Sequence, residues 1–84
     1  MSPPPFAHES TETVPGAVRH VANGVCWEKT APPYVLQALT GCWLWRAMVI
    51  DMDLDEVVHI TPHCFAGPRA AMDDAEEWVR ENRP

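Results

Sequence analysis

Three groups of residues carry atoms that could do chemistry. Asp51-x-Asp53-x-Asp55 repeats the opening of an EF-hand loop, where alternate carboxylates converge on a hard cation. The rest of such a loop is missing. Its sixth position is Glu56, where the sharp turn needs Gly, and its twelfth is Pro62, where the ion needs a bidentate Glu. A solvated acidic hairpin turn without calcium is expected. His59-x-x-x-His63-Cys64, with Cys26 and Cys42, offers nitrogen and sulfur donors for one tetrahedral zinc. His59 falls in an expected strand and His63 beyond Pro62, so the two share no helical face, and separate packing and surface roles are expected instead. The same thiols and imidazoles could serve as nucleophile and base, but no oxyanion device, Gly-rich phosphate loop or local signature surrounds any Cys. The expectation is a protein that is not an enzyme, with no catalytic residue, cofactor or metal.

What remains to carry function is surface. The formal charge of -6 is unevenly spread. Up to Ile50, Glu9, Glu12 and Glu28 balance Arg19, Lys29 and Arg46, whereas from Asp51 onward nine acids face only Arg69, Arg80 and Arg83. Nucleic acid as a direct partner is disfavoured, because neutralising phosphate takes clustered Lys and Arg. A basic protein surface is the better electrostatic match. Asp73, Glu77 and Glu81 recur at i, i+4 and i+8, a like-charge stripe with Asp74 beside it, and Asp53 and Asp55 add charge in the turn. Trp43 and Trp45 share one face of an expected strand, and would form an exposed aromatic pair if a helix covers the other face. The candidate partner-binding residues are thus Asp73, Asp74, Glu77, Glu81, Asp53, Asp55, Trp43 and Trp45.

These positions depend on elements that the chain's local patterns suggest. Residues 1–16, rich in Pro, read as a flexible or loosely docked tail with Phe6 and Val14 as its only large anchors. The rest, 17–84, reads as one small domain with a modest core. Asn23-Gly24 lies between two β-prone runs, which predicts a two-residue hairpin with Ala22 opposite Val25, Val21 opposite Cys26, His20 opposite Trp27 and Arg19 opposite Glu28. Ala31-Pro32-Pro33 breaks the ladder. Tyr34 to Leu39 is compatible with a short helix or a strand, and strand is preferred because Cys42 to Ile50 is a long strand seeking a partner. Glu56 to Thr61 returns as another strand. Pro68 to about Asn82 is a helix with Ala71, Met72, Ala75, Trp78 and Val79 on its apolar side. The sum is an α+β domain: an antiparallel sheet of four or five strands with one C-terminal helix across one face, centred on Trp78.

The longest apolar run, Cys42 to Ile50, is interrupted by Arg46 and is far short of the roughly 18 residues that would span a bilayer, so no membrane partner is expected. The N-terminus has no signal-like basic and apolar segments, and the expected location is the cytoplasm, with Cys26, Cys42 and Cys64 as reduced, mostly buried thiols. A compact acidic chain with few bases and no catalytic constellation resembles, in general character, the small inhibitor proteins encoded by phages, such as anti-CRISPR proteins. The likeness transfers no residue. It implies a partner that handles nucleic acid, whose phosphate sites Asp and Glu would occupy. A subunit or adaptor using an aromatic sheet face, or a small metal-stabilised regulator, are the competing readings.

Overall fold

The computed structural model describes residues 12–21, 24–40 and 44–82. Five strands, β1 (Val18–Val21), β2 (Val25–Ala31), β3 (Tyr34–Thr40), β4 (Trp45–Asp51) and β5 (Glu56–Ile60), are followed by α1 (Pro68–Asn82). Each strand pairs antiparallel with the next, so the sheet order is the chain order. This is the expected α+β architecture, and Tyr34–Thr40 is a strand that pairs on both sides, with β2 and with β4.

The first hairpin differs from its expected register by one residue. Val18 faces Glu28, Arg19 faces Trp27, His20 faces Cys26 and Val21 faces Val25. The connection therefore holds three residues rather than two, with Gly24 at φ +135°, a conformation that side chains rarely adopt. A Cβ on Gly24 would also lie 3.2 Å from the Thr40 carbonyl oxygen. Pairing Trp27 with Ala38 across β2 and β3 puts both on the covered face. The Pro32-Pro33 pair, joined by a cis peptide bond, does end the ladder, and Ala31 and Tyr34 close the hairpin around it.

Helix α1 lies across the face that carries Tyr34, Leu36 and Ala38 of β3 and Trp45, Ala47 and Val49 of β4. From the helix, Ala71, Met72, Ala75 and Val79 complete the core. Small residues on both layers let the helix approach closely, and the space between them is filled by a few large side chains. Trp45, 1% exposed, is the largest of these, so the core is centred on Trp45 and not on Trp78. Trp78 is half-buried at the flank, edge-on to Tyr34 and stacked on His59 at centroid distances of 5.5 and 5.4 Å. The expected helical stripe was right in its spacing, but the small Ala71 and Ala75 mark its middle and the large Trp78 its edge.

Beyond β5 the chain continues to pair with β4. Thr61 donates its N–H to the Ala47 carbonyl (2.9 Å), while its hydroxyl accepts the Ala47 N–H (3.2 Å), and Trp45 and Phe65 exchange two bonds of 2.7 Å. Thr61 is fully buried, a polar side chain whose place in the core is met by that bond.

The N-terminal boundary also moves. Glu12 to Ala17 belongs to the domain: Val14 is in the core, and the Glu12 carboxylate accepts the Arg69 N–H at 2.8 Å. Residues 1–11, including Phe6, lie outside the described residues, as do Ala22, Asn23, Cys42 and Trp43.

The opposite face of the sheet is crossed by no element among the described residues. Val18, Leu39, Val57 and Ile60 are exposed there, with Val35, Met48 and Ile50 half-buried between them. The register aligns Cys26, Leu39 and Arg46 in one row, and Glu28, Gln37, Met48 and Ile60 in the next.

Candidate functional site

The helix that carries the acidic stripe begins at Pro68, whose ring is suited to a first turn because no N–H is needed there. No Ser, Thr, Asp or Asn immediately precedes it in Phe65-Ala66-Gly67, so the first N–H groups need a partner from elsewhere. Glu12, 57 positions earlier than Arg69, supplies it. The carboxylate comes so near Gly67 that a Cβ there would lie 2.8 Å from Glu12 Oε1. Gly67 thus makes room for the cap, and the negative charge complements the positive end of the helix dipole.

Along α1 the packing sorts the acids into two roles. Glu76 reaches toward β2 and forms an ion pair with Lys29, while Asp74 reaches toward β5, its Oδ2 lying 3.3 Å from His59 Nε2. The stacked indole of Trp78 covers the same imidazole. Those two carboxylates are half-buried and fasten the helix to opposite sides of the sheet. Asp73, Glu77 and Glu81 are exposed on the outer arc between them. By helical periodicity Arg69 and Arg80 lie toward the β2 side of that arc, leaving the β5 side acidic. An open depression on this surface is lined by Phe65, Ala70, Asp73, Asp74, Glu77 and Arg80, among others.

Asp53 and Asp55 are exposed in the turn between β4 and β5. Asp51 is committed locally, since its Oδ1 accepts the N–H groups of Asp53 (2.9 Å) and Leu54 (3.1 Å), the side-chain turn that Asp favours. Asp55 takes φ 53°, a left-handed conformation that Asp tolerates better than most residues. Tyr34 pairs with Asp51 and touches Trp78, so the turn is at the end of the sheet toward which the helix C-terminus runs.

Trp45 is not part of an exposed aromatic surface. Trp45 is buried beneath α1, which covers the face that Trp45 shares with Ala47 and Val49, and Trp43 lies outside the described residues. The uncovered face is aliphatic across β3 to β5 and mixed with His20, Glu28, Gln37 and Arg46 elsewhere. His59, His63 and Cys64 do not come together: His59 is held by Asp74 and Trp78, whereas His63 and Cys64 are exposed. Among the described residues no three His, Cys, Asp or Glu side chains gather to hold a metal ion.

The cysteines differ from the expectation of mostly buried thiols. Cys64 is exposed and Cys26 is half-buried on the open sheet face. Burial pushes the Cys26 thiol up from its ordinary value, and the neighbouring Glu28 carboxylate adds to the shift. Since the thiolate is the reacting form, Cys64 is expected to be alkylated several-fold faster than Cys26 by iodoacetamide near pH 8. Peptide mapping by mass spectrometry along a time course checks this, and equal rates would contradict the protected state of Cys26.

Sequence reasoning passed over Glu12, Lys29 and His59 as partners of the helix. The signal for the first was available: a Gly-Pro helix start with no local capping side chain. No helix of the described residues is long and apolar enough to cross a membrane. Comparison with protein-family models, with curated proteins and with solved structures finds no match for this chain.

Proposed function

We propose that this protein is a small, non-enzymatic binding protein of the cytoplasm, an inhibitor that docks on a basic protein surface through the outer face of α1. The observation that carries the reading is the division of the helix acids. Glu76 and Asp74 have partners within the fold, Lys29 and His59, while Asp73, Glu77 and Glu81 are exposed along the side away from the sheet. Their repulsion costs the helix a few tenths of a kcal/mol per pair, and Glu81 is at the end where the dipole disfavours an anion. A surface that opposes the stability of its own helix is explained if the charges act on a partner. A nucleic-acid-handling protein is the proposed class, because its Lys and Arg sites for phosphate match a row of carboxylates. The general likeness to phage-encoded anti-CRISPR inhibitors is part of the same proposal. Asp53 and Asp55, in the turn at the end reached by the helix C-terminus, extend the surface.

The test is the triple variant Asp73→Gln, Glu77→Gln, Glu81→Gln, with a pull-down from the native host identifying the partner. Its thermal stability should equal or slightly exceed that of the parent. Its affinity for the partner should fall by about 1 to 3 kcal/mol, mainly through slower association at low salt. Unchanged affinity and association rate at low salt would reduce the stripe to a solubilising face.

A further inference from the structure

We propose that the open face of the sheet is closed by the same face of a second copy of this chain, giving a two-fold symmetric dimer whose two sheets pack face to face. The face is apolar across β3, β4 and β5, where Leu39 is 36% exposed, Val57 47% and Ile60 53% with Val35, Met48 and Ile50 between them, and Val18, 62% exposed, lies at the far edge beyond Glu28 and Gln37. An exposed aliphatic patch of this kind across β3, β4 and β5 of a small domain marks a contact surface.

Charge decides what contacts it. Most exposed acids among the described residues lie on α1 and in or next to the turn after β4, so a second copy approaching there meets like charge. On the open sheet face the charged groups are Glu28 and Arg46, with His20 4.0 Å from Glu28. A basic partner gains little from such a balanced surface, whereas two copies meet on it without bringing their acids together. The open sheet face and the outer face of α1 are separate surfaces, so a dimer through the first leaves the second free.

The register shows how they fit. A two-fold axis lying in the interface parallel to β3 sets β4 of one copy over β2 of the other. Arg46 then falls over Cys26 of the second copy, one step of the pleat from Glu28. Because the symmetry repeats the contact, two reciprocal Arg46–Glu28 pairs form. Glu28 is oriented for this by Gln37, whose amide donates to Oε1 at 3.0 Å. Five strands about 4.8 Å apart, with roughly six residues each rising about 3.3 Å, give a footprint near 480 Å². Side-chain relief raises the accessible area above that figure, which places the dimer around the lower bound of about 1,200 Å² in total for a stable interface. An interface near that bound, crossed by polar groups, is proposed to hold the dimer with a dissociation constant on the order of micromolar.

The experiment is sedimentation velocity on the full chain from about 1 µM to about 0.5 mM, a range that brackets a micromolar constant. The expected result is a concentration-dependent monomer and dimer. Ile60→Asp and Val18→Asp should each weaken the dimer at least tenfold, two positions being used so that a folding defect at one, seen by circular dichroism, does not decide the outcome. Leu54→Asp, 63% exposed in the turn off this face, should leave it unchanged. Arg46→Glu and Glu28→Arg should each weaken it, and the two combined should restore most of the loss. A chain that stays monomeric throughout overturns the proposal. So does a dimer that responds to Leu54→Asp or the α1 triple variant but not to the face variants, or a charge-reversed pair no better than either single change.

Discussion

Truncating Trp45 to Ala is expected to cost about 3 to 5 kcal/mol, the range for removing a large buried aromatic, and so to remove much of the stability of a domain this small. Trp45 is 1% exposed and is the largest fully buried side chain described. Deleting it leaves a void between α1 and the middle of the sheet that neighbours in regular elements cannot refill. Its indole Nε1 is buried with no hydrogen-bond partner among the described residues, so replacing the indole breaks no hydrogen bond to them. Trp45→Phe, which keeps most of the ring and removes that N–H, is therefore expected to cost only about 1 to 2 kcal/mol. Trp78→Ala should fall between the two, because Trp78 is half-buried and loses one stacked and one edge-on contact. Denaturant titrations of the three variants check the order. A Trp78 variant less stable than the Trp45→Ala variant would show that the flank, and not the middle of the helix, holds the layers together.

Replacing Thr61 by Val is expected to destabilise the fold by about 1 to 3 kcal/mol although the two side chains have the same shape. The Thr61 hydroxyl accepts the Ala47 N–H inside the core, at a position where water does not reach. Val leaves that donor unpaired, and desolvation makes an unpaired buried amide costly. The same reasoning predicts faster hydrogen exchange at the Ala47 amide, while the backbone bond from Thr61 N–H to Ala47 O persists. Thr61→Ser keeps the acceptor, and should retain protection at Ala47 while losing only the buried methyl. At roughly 4 to 8 °C per kcal/mol for a domain of this size, the Val variant should melt visibly lower. A Val variant as stable as the parent would mean that the hydroxyl contributes nothing to the joint between β4 and the segment after β5.

Both residues show where tertiary context outran local pattern. Thr61 stood next to Pro62 as the end of a strand, and nothing near it in sequence indicates that its hydroxyl would serve Ala47. Trp45 belongs to a strand with large apolar residues on both sides, and alternation alone does not say which side the helix takes. The choice follows from steric fit: Ala47 and Ala38 are small and adjacent, as are Ala71 and Ala75 on α1, and only that pair of faces lets the layers close around one indole. The other set, with Arg46, Met48 and Ile50, was left uncovered and supplies the face proposed for the second copy.

The sequence by itself determined the elements whose cause is local. The bounds of α1 follow from Pro68 and the apolar spacing, the end of β2 from the inability of two prolines to donate, and the turn after β4 from Asp51, whose carboxylate accepts the N–H groups two and three residues on. It also determined that acids would line one side of the helix, because a fixed helical period converts spacing into a face. Only the tertiary structure decided which of those acids are committed. Lys29, His59 and Glu12 are separated from the helix residues they meet by 47, 15 and 57 positions, and no local period encodes such distances. The hairpin register departs by one residue from the two-residue turn that Asn-Gly favours, and since all four β1 residues are exposed, burial of β1 does not set it. Local rules act through backbone geometry within a few residues. Burial compares whole faces, and it chose the face of the sheet that would be covered and the face that would stay open.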